Sequence, residues 1–274
     1  MNKISLFGSR IVEIYQMVFS VFKKNPTLYL LFLWIGLLEF IALAVLFFAP
    51  SEPVSYVLAP IIRTFWSERF LHYPDNFVLL PKLFAHVHFL ISTVFGVFVT
   101  GLVIKKIEAD TKGEQLSTLS AVRPVFKYYL SLVFGWLISY AIFTFALRGV
   151  LAVLPGKVLI QLGGGFILGV AVQALVAFLL PAIIILENGF FKALFEGFRV
   201  GLKNLLLTSG LIFVPMFLAF AISFVKLYIP LVIKVHPEMV LWILAGGIVI
   251  SVVVDILVTS SATLLFLKVR NNKS

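Results

Sequence analysis

The sequence has no cysteine, little charge and few acids. The absence of cysteine from 274 residues excludes disulfides, thiolate nucleophiles and cysteine-held metals. Charged residues make up only 12% of the chain against 61% hydrophobic, and the mean hydropathy is +1.11. A soluble domain of this length needs far more charge, so the chain reads as a membrane protein. Acids are scarcest, 12 against 22 Lys and Arg, for a net charge of +10. The basic residues stand beside apolar runs, which suits anionic lipid headgroups rather than nucleic acid.

Catalytic signatures are missing as well. There is no Walker loop, GxSxG elbow or HExxH pair. "LGGGFILG" (Leu162 to Gly169) lies inside an apolar run and lacks a phosphate-loop lysine, so it reads as helix packing. His86 and His88 stand two apart, on different helix faces, and make a poor metal pair. Neither an enzyme activity nor a metal or cofactor is expected.

What is present is apolar length. Six runs are long enough to cross a hydrocarbon core of about 30 Å, near 27–49, 83–104, 128–153, 158–186, 205–229 and 239–267. The first is too long and starts too late for a signal sequence, so it is expected to stay as a span. Without water to satisfy the backbone these must be helices, giving an all-α, single-domain, six-helix transmembrane bundle over 1–274. The N-terminal segment, the loops 105–127 and 187–204 and the tail then share one side. They carry 15 of the 22 Lys and Arg, which places both termini in the cytoplasm of a prokaryotic plasma membrane.

Segments 5–24 and 188–203 mix apolar residues at helical spacing with Lys or Arg near the point of membrane entry. They are expected to lie as amphipathic helices in the inner headgroup plane, as is "TLSAVRPVFKYYL" before the third span. On the other side, "VSYVLAPIIRTFWSERFL" predicts a helix on the outer leaflet anchored by Trp66.

The stretch from "LENGFFKALFEGFRVGLKN" through "TSSATLLFLKVR" resembles a loose group of prokaryotic membrane proteins. That group includes the membrane domain associated with glycerophosphodiester phosphodiesterases. The likeness rests on Glu187-Asn188, Ala193, Gly197, Lys203-Asn204, Thr263, Phe266 and Arg270. It implies a multi-helix membrane fold. The phosphodiesterases' soluble catalytic domain has no counterpart here, so their activity is not implied.

Candidate functional residues are polar groups at mid-span. Steps of four link Gly247, Ser251, Asp255, Thr259 and Thr263 on the last span, and Gln161, Gly165, Gly169, Gln173, Ala177 and Pro181 on the fourth. Two such stripes predict that these spans pack together or face one cavity. Glu39, Thr93, Ser139, Gln173 and Asp255 all fall near span centres and predict a polar layer. Arg148, the cation nearest in sequence terms, either reaches Glu39 or snorkels outward, and snorkelling is favoured. The expected role is a non-enzymatic accessory, lipid-organising or complex-forming protein. The alternative is a proton-coupled transporter or ion pathway using this layer. Expected partners are membrane lipids and either other membrane subunits or a small solute.

With no native cysteine, topology is directly testable. Cysteines placed singly at Ser117 and Ser55 should label from opposite sides of the membrane, Ser117 from the cytoplasm. Labelling of both from outside would reject the six-span reading.

Overall fold

A computed structural model describes residues 3–153, 158–187 and 189–271. All regular structure among them is helical. Six helical runs are long and apolar enough to cross a membrane: Thr27–Phe47, Asp75–Thr111, Tyr129–Gly149, Ile160–Leu186, Leu205–Lys226 and Met239–Asn271.

In chain order, α1 (Lys3–Lys24) precedes the first span α2 (Thr27–Phe47). Then come α3 (Val54–Phe65) and a 3-10 turn at Glu68–Leu71. The second span is α4 (Asp75–Ile91), a π-helical turn at Ser92–Gly96 and α5 (Val97–Thr111). After α6 (Thr118–Lys127) comes the third span, α7 (Tyr129–Val153). The fourth is in two pieces, α8 (Val158–Val176) and α9 (Leu179–Leu186). α10 (Phe190–Lys203), α11 (Leu205–Lys226), α12 (Ile229–Val235) and α13 (Met239–Asn271) complete the chain. Asn188, named both in the resemblance and in the expected helix 188–203, lies outside the described residues.

Two expectations are corrected. The second helix starts at Asp75, not near 83, so Pro81 and Lys82 lie within it. The fourth span is interrupted at Ala177 and Phe178. Pro181 accounts for this break, because it has no N–H to donate to the carbonyl of Ala177, four residues back, and its ring crowds that carbonyl.

The contacts divide the chain into two compact units. The first comprises Met1–Phe32, Thr93–Leu218 and Val253–Ser274; the second comprises Leu33–Ser92 and Ala219–Val252. A single domain was expected from the sequence.

In the first unit, α9 is enclosed by α5, α7 and α10. Leu179, Ala182 and Ile183 have no exposed surface. Small residues make the close approaches possible. A Cβ added at Gly135 of α7 would lie 2.8 Å from Ile183, and one at Gly101 of α5 would lie 2.7 Å from Val125. α10 presses its Ala193–Gly197–Gly201 face against the broken span. A Cβ at Gly197 would sit 3.1 Å from the Phe178 carbonyl oxygen, and one at Gly201 only 2.4 Å from that of Leu175.

α1 buries Ile14, Val18 and Phe22, one residue per turn, and Tyr15 donates a hydrogen bond to the Leu211 carbonyl. Burial pushes the Tyr15 hydroxyl pKa up to about 12.

Polar contacts in the first unit connect the four segments that the hydropathy reading put on one side. Glu13 pairs with Lys268 at 2.7 Å, Asp110 with Lys24 at 2.9 Å and Glu187 with Lys105 at 2.7 Å. Arg270 donates to the Ile185 carbonyl at the end of α9, 3.1 Å away. The Lys105 hydrogen bond holds the Glu187 carboxyl below the usual carboxylate range.

The second unit has its own core. Leu43, Leu46, Phe70, Phe84, Val240 and Leu244 cluster there, joined by Ile62 of α3. The helix expected around Trp66 is present and ends at Phe65, and Trp66 packs against this core.

The glycine contacts are directly testable. Gly201→Ala should lower stability in detergent by about 1–3 kcal/mol, because the methyl meets a backbone oxygen that cannot turn aside. Gly163→Ala meets nothing within 4 Å and should be neutral or slightly stabilising, since alanine is the better helix former. Equal effects from the two substitutions, followed by thermal unfolding, would contradict this packing.

Candidate functional site

The break in the fourth span borders a cavity of about 220 Å³ in the first unit. Gln173, Ala177 and Pro181 of the fourth-span stripe line it, together with Asp255 and Thr259 of α13. The sequence left two outcomes open for these stripes, direct packing or a shared cavity. The stripes share a cavity, while the closest backbone neighbours of α8 and α9 are α5, α7 and α10.

Asp255 is the central residue of α13, about 24 Å from either end at ~1.5 Å per residue. Its side chain is exposed, whereas Gln173 and Thr259 are half-buried. Ser139 and Thr100 complete the polar lining. The Ser139 hydroxyl donates to the Gly135 carbonyl at 2.8 Å, so it offers a lone pair to anything in the cavity. Trp136 and Tyr140, one turn apart on α7, stack at 5.5 Å and form an aromatic wall. Carboxylate, amide, hydroxyls and indole together suit a small polar guest. The space is below the ~300 Å³ at which drug-sized ligand sites begin.

The chain matches no family model, no curated protein and no solved structure. Chemistry therefore has to be read from the side chains themselves.

The second unit holds a separate polar cluster. Glu39 is only 2% exposed and sits near the middle of α2. One carboxylate oxygen, Oε1, lies 2.9 Å from His88 Nδ1; the other, Oε2, is buried with no hydrogen-bond partner. Lys226 of α11 belongs to the same unit. Room for the lysine comes from Gly247, where a Cβ would stand 3.3 Å from both Cε and Nζ of Lys226.

The expected polar layer is thus distributed over the two units. Ser139, Gln173, Asp255 and Thr259 meet at the cavity, and Thr93 is not among its lining residues. Glu39 and Ser251 belong to the second unit. Arg148 is exposed on α7 and makes no ion pair among the described residues; the partner of Glu39 is His88. No sign of this pairing stands in the sequence, because starting the span near 83 put His88 close to its end, whereas the helix runs from Asp75 through Pro81 and Lys82. Sequence reasoning also missed Thr100, Trp136 and Tyr140, which carry no signal until the helices are packed. Among the described residues, no three His, Asp or Glu side chains gather as a metal site.

A double-mutant cycle tests the Glu39–His88 contact. With Glu39→Leu and His88→Leu, a coupling of about 1–2 kcal/mol is expected, toward the upper end measured for intramembrane hydrogen bonds. Additive effects in the cycle would show that the two side chains do not interact.

Proposed function

We propose that this is a non-enzymatic, multi-pass protein of a prokaryotic cytoplasmic membrane that binds a small polar solute in the Asp255 cavity and couples it to a proton. Both termini face the cytoplasm in this reading. α1, α6 and α10 rest in the inner headgroup layer, with α10 turning Phe191, Phe195 and Leu202 outward.

The carrying observation is that Asp255, Gln173, Ser139 and Thr259 converge on free volume. An acid retained only to join helices would be expected in a filled helix contact. The interrupted fourth span supports the same reading. Carrier sites are characteristically built where a membrane helix is broken and its backbone is turned toward a ligand. Pro181 deprives the Ala177 carbonyl of its helical donor, and both residues line the cavity.

A charged carboxylate at mid-span costs about 2.5–3.5 kcal/mol. An apolar surround favours the protonated form of any carboxyl, and a polar guest or hydration favours the ionised one. Binding and proton release are thereby linked. The accessory, lipid-organising role remains the reading for the surface helices, whose exposed phenylalanines suit an acyl boundary.

Asp255→Asn keeps the size and hydrogen bonding of the side chain but cannot titrate. It should fold normally and lose a pH-dependent change in Trp136 fluorescence, together with pH-dependent solute flux in proteoliposomes. Trp136→Phe identifies the fluorescence component. Asp255→Leu should lose both signals and some stability. If Asp255→Asn retains the full pH response, proton coupling at this cavity is wrong. If Asp255→Leu is also as stable and active as the parent, the cavity has no role in binding.

A further inference from the structure

A second cavity, of about 470 Å³, lies at the end of α5 in the first unit. Its lining includes Lys24, Asn25, Lys106, Asp110, Glu114 and Ser117. Lys106 is the unusual member, since it is 7% exposed and makes no ion pair among the described residues. Its ammonium has only neutral partners, the Thr118 hydroxyl at 3.1 Å and the Leu116 carbonyl at 3.4 Å.

Two acids close at hand are engaged elsewhere. Glu108, two residues on, takes Lys105 at 3.0 Å and Lys112 at 2.7 Å. Asp110 stands four residues on, at the spacing of a helical ion pair. It is instead held by Lys24 at 2.9 Å and by the Asn25 amide at 2.9 Å. Glu114 is exposed at the rim. A buried ammonium without a counter-charge is costly, and here it borders an open volume.

We propose that this cavity binds a phosphate-type oxyanion, with Lys106 as its counter-charge. The Asn25 side chain and the Ser117 hydroxyl, which also line the cavity, supply further hydrogen bonds. The volume lies within the ~300–1,000 Å³ range of ligand sites and exceeds what a bare phosphate needs. Its place at a span end is where basic pockets meet phospholipid headgroups. The same chemistry serves a free phosphate and a lipid phosphate, and the site is independent of the Asp255 cavity.

The test uses the full chain in nanodiscs. One arm titrates inorganic phosphate into protein in phosphatidylcholine discs. The other counts phosphatidylglycerol retained per chain by native mass spectrometry. Saturable phosphate binding, weakened at least tenfold in Lys106→Met and within threefold in Lys106→Arg, supports a free oxyanion. One retained lipid per chain, lost in Lys106→Met and kept in Lys106→Arg, supports a headgroup. Lys106→Met removes an uncompensated charge while keeping the stem, so it should fold. Should it not, competition by sulfate in the parent protein decides between a site and no site. Absence of both phosphate and lipid binding, or binding unchanged in Lys106→Met, overturns the proposal.

Discussion

A proline inside an apolar span sets the terms for the first unit. Inside a bilayer no water replaces a lost backbone hydrogen bond, so a helix broken there needs protein or a polar cavity beside it. Pro181 imposes the break, and the chain meets it from two sides. α10 brings Gly197 and Gly201 against the backbone at Phe178 and Leu175, so close that a methyl at Gly201 would be 2.4 Å from an oxygen. The Asp255 cavity lies along Gln173, Ala177 and Pro181. The glycine face of α10 and the polar lining of the cavity both flank this break.

Three carboxylates in or near the spans show how differently such a group can be accommodated. Glu108 is buried with both oxygens occupied by lysines, a fully compensated arrangement that rigidifies the end of α5. Glu39 is equally buried but half satisfied, with His88 on one oxygen and nothing on the other. Asp255 faces open volume among hydroxyls and an amide.

Much of the architecture was legible because hydrophobic length is a robust signal in lipid. The six spans and the short helices α1, α3 and α10 appear where apolar runs and charge spacing put them. The stripes through Gln173 and Asp255 were legible too, since steps of four stay on one helix face. What failed to show was where polar residues sit within a span. Pro81 and Lys82 looked like a boundary, yet the helix runs through them, and His88 therefore went unrecognised as the partner of Glu39. Pro181 looked like a tolerated member of a packing stripe, and its break was missed. Hydropathy averages over a window and cannot distinguish a proline that kinks a helix from one that interrupts it. The neutral wall of the cavity, Trp136 and Tyr140, is a product of packing and has no counterpart in local pattern.

The acid and the cavity explain each other energetically. An ionised carboxylate at mid-span without hydration would cost about 2.5–3.5 kcal/mol. That is a sizeable fraction of the ~5–15 kcal/mol by which a fold is stable. Water or a polar solute in the pocket lowers that cost by solvating the acid. Polar cavities of this size hold water, whereas apolar ones stay dry. An acid placed only to join helices would favour closing the space around it. In the proposed reading, the free volume beside Asp255 is where an exchangeable guest would sit, next to a titratable group.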